Sequence, residues 1–120
     1  MASNNFTLLL KNDGTVCGCG ENNCGQLGTG DTNNVASLTQ IPNATDVKGV
    51  ACASKFTLLL KNDGTVWGCG ENYYGQLGTG NSNNVKSLTQ ILNSENTISI
   101  ACGDSHNLIL KNDGTVWGCG

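Results

Sequence analysis

Histidine and proline occur once each in this chain of 120 residues, and only 12% of its residues are charged. A single histidine leaves almost no material for histidine-dependent catalysis or for a multi-histidine metal site. The chain has no run of about 18 apolar residues, so a helical membrane span is not expected. The net charge of −3 and the isoelectric point near 4.7 provide no electrostatic footprint for nucleic acid.

The start of the chain lacks a basic region followed by a long apolar stretch, so we expect no secretory signal. Seven cysteines are an odd number, which together with the missing signal favours reduced thiols and a cytoplasmic location. Glycine and asparagine contribute 17 residues each, and both are poor helix formers. The low charge argues against a highly solvated disordered chain. Composition therefore indicates a folded chain with little helix.

An internal repeat dominates the sequence. The segment Lys-Asn-Asp-Gly-Thr-Val begins at Lys11, Lys61 and Lys111, which gives a period of 50 residues. Residues 6–30 and 56–80 agree at 22 of 25 positions, and residues 106–120 agree with 56–70 at 12 of 15. A period of roughly 40–50 residues is typical of propeller blades. The chain thus holds 2.4 periods, with copies at about 1–46, 47–96 and 97–120.

Each period predicts four β-strands. Residues 56–60 form an apolar run of the length expected for a strand buried on both faces. Gly64 supplies the left-handed residue that closes a three-residue hairpin loop. In the return strand at 65–70, Val66 and Gly68 face one side, and Trp67 and Cys69 face the other. Glycine in this strand predicts a close approach of another backbone, as expected where blades pack face to face.

The remainder of the period predicts a loop and two further strands. The loop covers residues 71–84, an outer strand follows at 86–91, and the next strand lies at 97–102. Four strands in one period match a propeller blade, which is a four-stranded sheet.

These segments resemble the regulator of chromosome condensation repeat family. The resemblance rests on Ala-Cys-Gly at 101–103 before His106, and on Val-Trp-Gly-x-Gly-x-Asn-x-x-Gly-Gln-Leu-Gly-x-Gly at 66–80. It implies a seven-bladed propeller whose blades mix strands of adjacent repeats, with an inner strand near 47–52. For this chain it implies an all-β partial propeller, with one complete blade at about 47–91 between two incomplete ones. The repeat signature comprises Gly14, Gly64, Gly114, Trp67, Trp117, Gly75, Gln76, Leu77, Gly78, Gly80, Cys102 and His106.

The chain departs from the family pattern at several positions. Cys17 and Cys24 stand where the second copy has Trp67 and Tyr74, and Phe6 stands where the family usually has histidine. The first copy is expected to lack its inner strand, and the last copy to lack its loop and outer strand.

The cysteines resemble a zinc site and the glycines a phosphate-binding loop, but the spacing favours neither. Cys17, Cys19 and Cys24 could attract zinc, but no CxxC pair exists, and substitution at packing or loop positions accounts for two of them. Recurring cysteines behave as small buried hydrophobes.

The order GxxGxG at 75–80 lacks the lysine and helix start of a phosphate-binding loop, so a structural loop tied by Gln76 is preferred. For His106 we expect a structural residue hydrogen-bonded beside its strand. We expect neither metal nor cofactor.

The resemblance implies a non-catalytic scaffold for protein interaction, with a partner that is not identified. Two incomplete blades leave apolar flanks and open strand edges, which favour self-association or further repeats that complete a ring. Two alternatives remain open: part of a guanine-nucleotide exchange factor for a small GTPase, and a truncated repeat remnant without independent function. Folding alone as an open arc of sheets is a further alternative.

Overall fold

A computed structural model describes residues 5–120 of the chain. This part of the chain contains ten β-strands and no helix, and therefore no helix that could cross a membrane. The strands are β1 Phe6–Leu10, β2 Val16–Gly20, β3 Val35–Gln40, β4 Val47–Cys52, β5 Phe56–Lys61, β6 Val66–Gly70, β7 Val85–Gln90, β8 Thr97–Cys102, β9 Asn107–Lys111 and β10 Val116–Cys119. The predicted all-β class is confirmed.

The strands form three antiparallel sheets. The first sheet has the order β1-β2-β3, the central sheet β4-β5-β6-β7, and the third sheet β10-β9-β8. The central sheet is the complete blade predicted at 47–91, and it is flanked by two three-stranded sheets. The fold is thus the partial propeller expected from the sequence. The boundaries of the three copies stay a prediction, although β4 begins at Val47 and β8 at Thr97.

Each hairpin turn is fixed by a short set of hydrogen bonds. The Lys61 N–H donates to Thr65 O at 2.9 Å, and the Gly64 N–H donates to Lys61 O at 3.0 Å. Asp63 Oδ1 accepts hydrogen bonds from the Thr65 hydroxyl at 2.6 Å and the Thr65 N–H at 3.0 Å, and these bonds lower the pKa of Asp63. Because Thr65 belongs to the turn, the return strand starts one residue later than predicted. The left-handed φ of 86° recurs at Gly14, Gly64 and Gly114.

Two apolar cores lie between the sheets. Leu8 of the first sheet and Leu59 of the central sheet belong to one core. Leu58 of the central sheet and Ile109 of the third sheet belong to the other. The neighbouring residues Leu58 and Leu59 are therefore buried in opposite cores, which confirms the prediction that β5 is buried on both faces.

The side-chain alternation predicted for β6 is also confirmed. Val66 belongs to the core shared with the third sheet, whereas Cys69 belongs to the core shared with the first sheet. At Gly68 an added Cβ would lie 2.9 Å from Leu77 Cδ2 and 3.2 Å from the backbone oxygen of Thr57, so a loop side chain and the paired strand both occupy the space beside it. A neighbouring backbone does approach Gly70, where an added Cβ would lie 3.1 Å from Gln26 Cα.

Candidate functional site

The two end sheets expose apolar faces that the central sheet buries. Leu59 is 0% exposed in the core beside the first sheet, but Leu9, which is 50 positions earlier, is 41% exposed. Leu58 is 0% exposed in the core beside the third sheet, but Leu108, 50 positions later, is 45% exposed. The exposure follows the position of a sheet in the stack, because these leucines occupy equivalent positions in their strands.

The first face belongs to the first sheet and comprises Leu9, Cys19 and Leu38, whereas Cys17 beside Leu9 is buried. Leu9 pairs with Cys17 across the β1–β2 ladder, and Leu38 of β3 is exposed. The positions equivalent to Leu9 and Leu38 in the central sheet, Leu59 and Leu88, belong to the core shared with the first sheet. The first face therefore has the composition of a surface that packs against another blade.

The third face belongs to the third sheet and comprises Leu108, Leu110 and Val116. Val116 is 62% exposed, whereas its equivalent Val66 is fully buried in the core shared with the third sheet. The third face thus matches the face that the central sheet presents to the third sheet. The first and third faces are the two halves of the interface that occurs twice within the chain.

A buried asparagine organises each glycine-rich loop. In loop B, residues 71–84, Asn72 Oδ1 accepts a hydrogen bond from the Leu77 N–H at 2.9 Å. Asn72 Nδ2 donates to Thr79 Oγ1 at 2.9 Å and to Asn83 O at 3.0 Å. Loop A, residues 21–34, has the same arrangement around Asn22. Each loop is therefore held to a single path by one fully buried side chain.

The signature glutamine joins each loop to the following sheet. Gln76 Oε1 accepts a hydrogen bond from the Tyr74 N–H at 2.9 Å. The Gln76 carbonyl accepts hydrogen bonds from Asn107 Nδ2 and from the Cys119 thiol, both of which belong to the third sheet. The loop is thus tied both to itself and to the next blade.

Loop B and the third sheet enclose a groove of about 730 Å³. We define the groove by Gly75, Gly78, Ile91, Trp117 and Cys119, which are among its lining residues. Gly78 has a φ of 60°, and an added Cβ would lie 3.0 Å from Ile91 Cγ2 and 3.1 Å from Cys119 Sγ. Glycine at this position therefore satisfies both the turn and the close packing.

The structure distributes the signature residues over three places. Gly75, Gly78, Gly80 and Trp117 line the groove, and Gln76 and Leu77 are buried beneath the loop. The hairpin glycines lie in turns, where Gly64 approaches Asn96 and Gly14 approaches Asp46. The loop asparagines Asn22 and Asn72 are absent from the predicted signature, although Asn72 stands in the family pattern at 66–80. The family pattern, which places an asparagine at 72, was the available signal.

The tryptophans lie beside lysines at the ends of their hairpins. Lys61 Nζ is 4.4 Å from the centroid of the Trp67 ring, and Lys111 Nζ is 4.4 Å from that of Trp117. The Trp67 Nε1–H donates to Thr65 Oγ1 at 3.0 Å. A lysine over an indole face is a stabilising cation–π arrangement.

His106 is exposed and is the last residue of the loop between β8 and β9. Its carbonyl accepts a hydrogen bond from the Gly103 N–H at 2.9 Å, and an added Cβ on Gly103 would lie 2.2 Å from His106 Cε1. The ring thus occupies the space that a side chain at position 103 would need.

All seven cysteines are free thiols. Burial raises the pKa of Cys69 to about 12. Burial and, to a lesser degree, the neighbouring Cys52 raise the pKa of Cys102 to about 12. Since the thiolate is the reactive form of cysteine, these two thiols are poor nucleophiles near neutral pH.

The buried thiols predict a loss of stability in alkali. In the unfolded chain Cys69 ionises near its ordinary pKa of 9.0, but in the fold it stays protonated until about pH 12. Stability is therefore fully present below pH 9.0 and falls towards pH 12, by about 1.4 kcal/mol per pH unit for one such thiol. We expect the free energy of unfolding, measured with urea at several pH values in this range, to fall less steeply with pH in Cys69→Ala than in the unaltered chain. Val16→Ala, a buried truncation without a titrating group, should lower stability while leaving the slope unchanged. An unchanged slope in Cys69→Ala would contradict the assignment.

The stacked sheets, the repeated hairpins and the glycine-rich loops define a segment of a β-propeller built from tandem repeats. The model of the regulator of chromosome condensation (RCC1) repeat matches residues 13–60 and 63–110, and a second model of that repeat matches residues 47–76. The chain belongs to this repeat family.

Solved structures of family members have the same fold. Human WBSCR16 is 27% identical with a TM-score of 0.89, and the match covers 98% of this chain and 31% of WBSCR16. Prp20p from Saccharomyces cerevisiae is 20% identical with a TM-score of 0.84, again over 98% of this chain and 31% of Prp20p. The yeast protein in its complex with Kap60 gives a TM-score of 0.82. A search of curated proteins found no match. The chain thus spans about a third of the structures that it resembles.

Proposed function

We propose that the chain is a non-catalytic scaffold for protein interaction that completes a propeller ring with further blades. The first face and the third face are its docking surfaces. Each corresponds to a surface that is already buried inside the chain, where Leu59 faces the first sheet and Leu58 faces the third. A further blade placed on either face would repeat a contact that the chain itself makes twice.

The exposure of equivalent leucines carries this proposal. Leu9 and Leu108 are exposed at positions where the central sheet has fully buried side chains. Full burial of a leucine side chain contributes about 1.5–3 kcal/mol. Head-to-tail contact places the third face of one copy on the first face of the next, which is a heterologous interface and forms a ring when its rotation closes.

The relatives support an interaction role. The Prp20p structure was described together with its binding to Gsp1p and histones, and the other yeast structure holds Kap60 bound to the protein. Those partners belong to propellers of which this chain spans about 30%. A complete ring that includes this chain could therefore also act as an exchange factor, which stays an alternative function. No single partner is assigned.

The mass of the chain in solution tests the docking faces. We expect a concentration-dependent mass above the 12.4 kDa of one chain in sedimentation equilibrium, because exposed leucines are buried on association. Leu9→Asp and Leu108→Asp should each shift the equilibrium towards monomer by about tenfold or more, since each places a charge in an apolar contact.

A matched control is Thr45→Asp, which adds the same charge at an exposed loop residue outside both faces. It should keep the mass of the unaltered chain. A well-folded monomer at all concentrations, or equal dissociation by the three variants, would refute docking through these faces.

A further inference from the structure

The groove beside loop B has an occupied counterpart inside the same chain. Loop A has a nearly identical sequence, and it is covered by strand β7 of the next sheet. The Gly30 N–H donates to Lys86 O at 2.9 Å, and Thr29 forms a β-bridge with Ser87. At Gly25 an added Cβ would lie 2.7 Å from Lys86 Cα. Loop A is thus a binding surface for an extended strand.

Leu88 is the side chain of β7 that packs against loop A. It is 6% exposed. An added Cβ on Gly28 would lie 3.7 Å from Leu88 Cγ, 3.3 Å from Cys69 Sγ and 3.1 Å from Ile41 Cγ2. A leucine therefore completes a small apolar pocket that a glycine, an isoleucine and a cysteine form.

The same three groups recur in the groove. Gly78 lies next to Ile91 Cγ2 and Cys119 Sγ, each of which stands 50 positions after its counterpart. At Gly75, however, an added Cβ would meet nothing within 4 Å, whereas its counterpart Gly25 is covered by β7. The groove is the same pocket without its strand.

The strand that borders the groove also has an open edge. In the central sheet, β7 pairs with β6, and the Ile91 N–H donates to Val66 O at 2.8 Å. Ser94 Oγ accepts a hydrogen bond from the Val66 N–H at 3.1 Å. In residues 5–120, β10 pairs with β9 alone. Val116 and Gly118, the counterparts of Val66 and Gly68, thus present a free edge to an incoming strand.

We propose that this groove binds an extended segment of the pattern Val-x-Ser-Leu-Thr-Gln-Ile by strand addition to β10. Its leucine fills the space between Gly78, Ile91 and Cys119. The occupant is the outer-strand segment of another repeat of this family, because β3 and β7 both carry the pattern. This inference rests on the proposed function in that it names the class of segment that the scaffold binds. Main-chain hydrogen bonds provide affinity in this mode, and the side-chain pocket provides selectivity.

A synthetic peptide of the 12 residues 83–94, labelled with fluorescein, tests the groove by fluorescence anisotropy. We expect saturable binding with one peptide per chain, both to the unaltered chain and to Leu9→Asp, whose substitution lies in the first sheet. The peptide carrying Leu88→Asp should bind about ten- to a hundredfold more weakly. The peptide carrying Gln90→Asn, a conservative change at an exposed position, should bind equally well.

Two further measurements locate the peptide. Amide exchange should slow at Val116 and Gly118 when the peptide is present. Val116→Pro removes one outward N–H from an edge strand, a position where proline is tolerated, and should weaken binding about tenfold. Absence of saturable binding, equal binding of the Leu88→Asp peptide, or unchanged exchange at both amides would overturn the inference. A monomeric chain that binds the peptide would contradict the docking faces and leave this inference intact.

Discussion

Replacing Asn22 with alanine is expected to lower the free energy of unfolding by about 3–4 kcal/mol. The side chain is fully buried, and its Oδ1 accepts a hydrogen bond from the Leu27 N–H at 2.8 Å. Its Nδ2 donates to Thr29 Oγ1, Asp31 O and Asn33 O at 2.9–3.2 Å. Alanine leaves these groups without their partner, and a buried group that loses its hydrogen bond costs about 1–3 kcal/mol.

The effect should extend beyond the loop itself. Leu27, which Asn22 fixes, is 1% exposed and belongs to the core between the first and central sheets. The neighbouring Gln26 carbonyl accepts a hydrogen bond from Thr57 Oγ1 at 2.7 Å and so joins loop A to the central sheet. Release of the loop therefore weakens the contact between two blades as well as the turn.

Urea unfolding followed by tryptophan fluorescence measures this loss. Asn12→Ala is the matched control, because Asn12 is exposed in a hairpin turn, and it should change stability by no more than about 0.5 kcal/mol. Asn22→Asp keeps an acceptor for the Leu27 N–H but removes the donors, so it should fall between the two. If Asn22→Ala were as mild as Asn12→Ala, the asparagine would not organise the loop.

Strand positions could be predicted from the sequence because the local signals repeat. The strand at 97–102 has its predicted bounds, and the outer strand is displaced by one residue, Val85–Gln90 instead of 86–91. Turn glycines such as Gly64 need a left-handed backbone, which fixes where one strand ends and the next begins. The 50-residue period then places the same hairpin in every copy.

The contacts of the loops could not be predicted in the same way. Asn72 and the exposed Asn62 both recur at the 50-residue period, so recurrence does not separate a buried asparagine that organises a loop from an exposed turn residue. Gly68 and Gly70 lie in the same strand, yet the side chain of Leu77 approaches Gly68 and the backbone of loop A approaches Gly70. Both outcomes depend on how the loop folds back over its own sheet, which involves residues distant from the strand pattern.

The exposure of individual side chains in the end sheets could not be predicted from the strand sequence alone. Leu9 and Leu59 lie in identical five-residue segments, Phe-Thr-Leu-Leu-Leu, but only Leu59 has a sheet packed against it. Burial here is a property of the stack and not of the strand. The same letters therefore describe a core residue in one copy and a candidate docking residue in another.

This difference leads to a paired prediction for Leu59→Ala and Leu9→Ala. Leu59→Ala should lower the free energy of unfolding by about 2–5 kcal/mol, because it leaves a cavity in a closed core. Leu9→Ala should cost less than about 1 kcal/mol when the chain is dilute, because its side chain is already 41% exposed. Chemical denaturation of both variants at the same protein concentration measures the two values.

Raising the protein concentration turns the pair into a test of the docking surfaces. If another blade covers the first face, association stabilises the folded chain by mass action, and Leu9→Ala becomes more costly as concentration rises. Leu108→Ala should follow the same course from the opposite end of the stack, whereas the cost of Leu59→Ala should not depend on concentration. A constant small cost at Leu9 and Leu108 would mean that the end faces stay open. Equal costs at Leu9 and Leu59 in dilute solution would mean that position in the stack does not control burial.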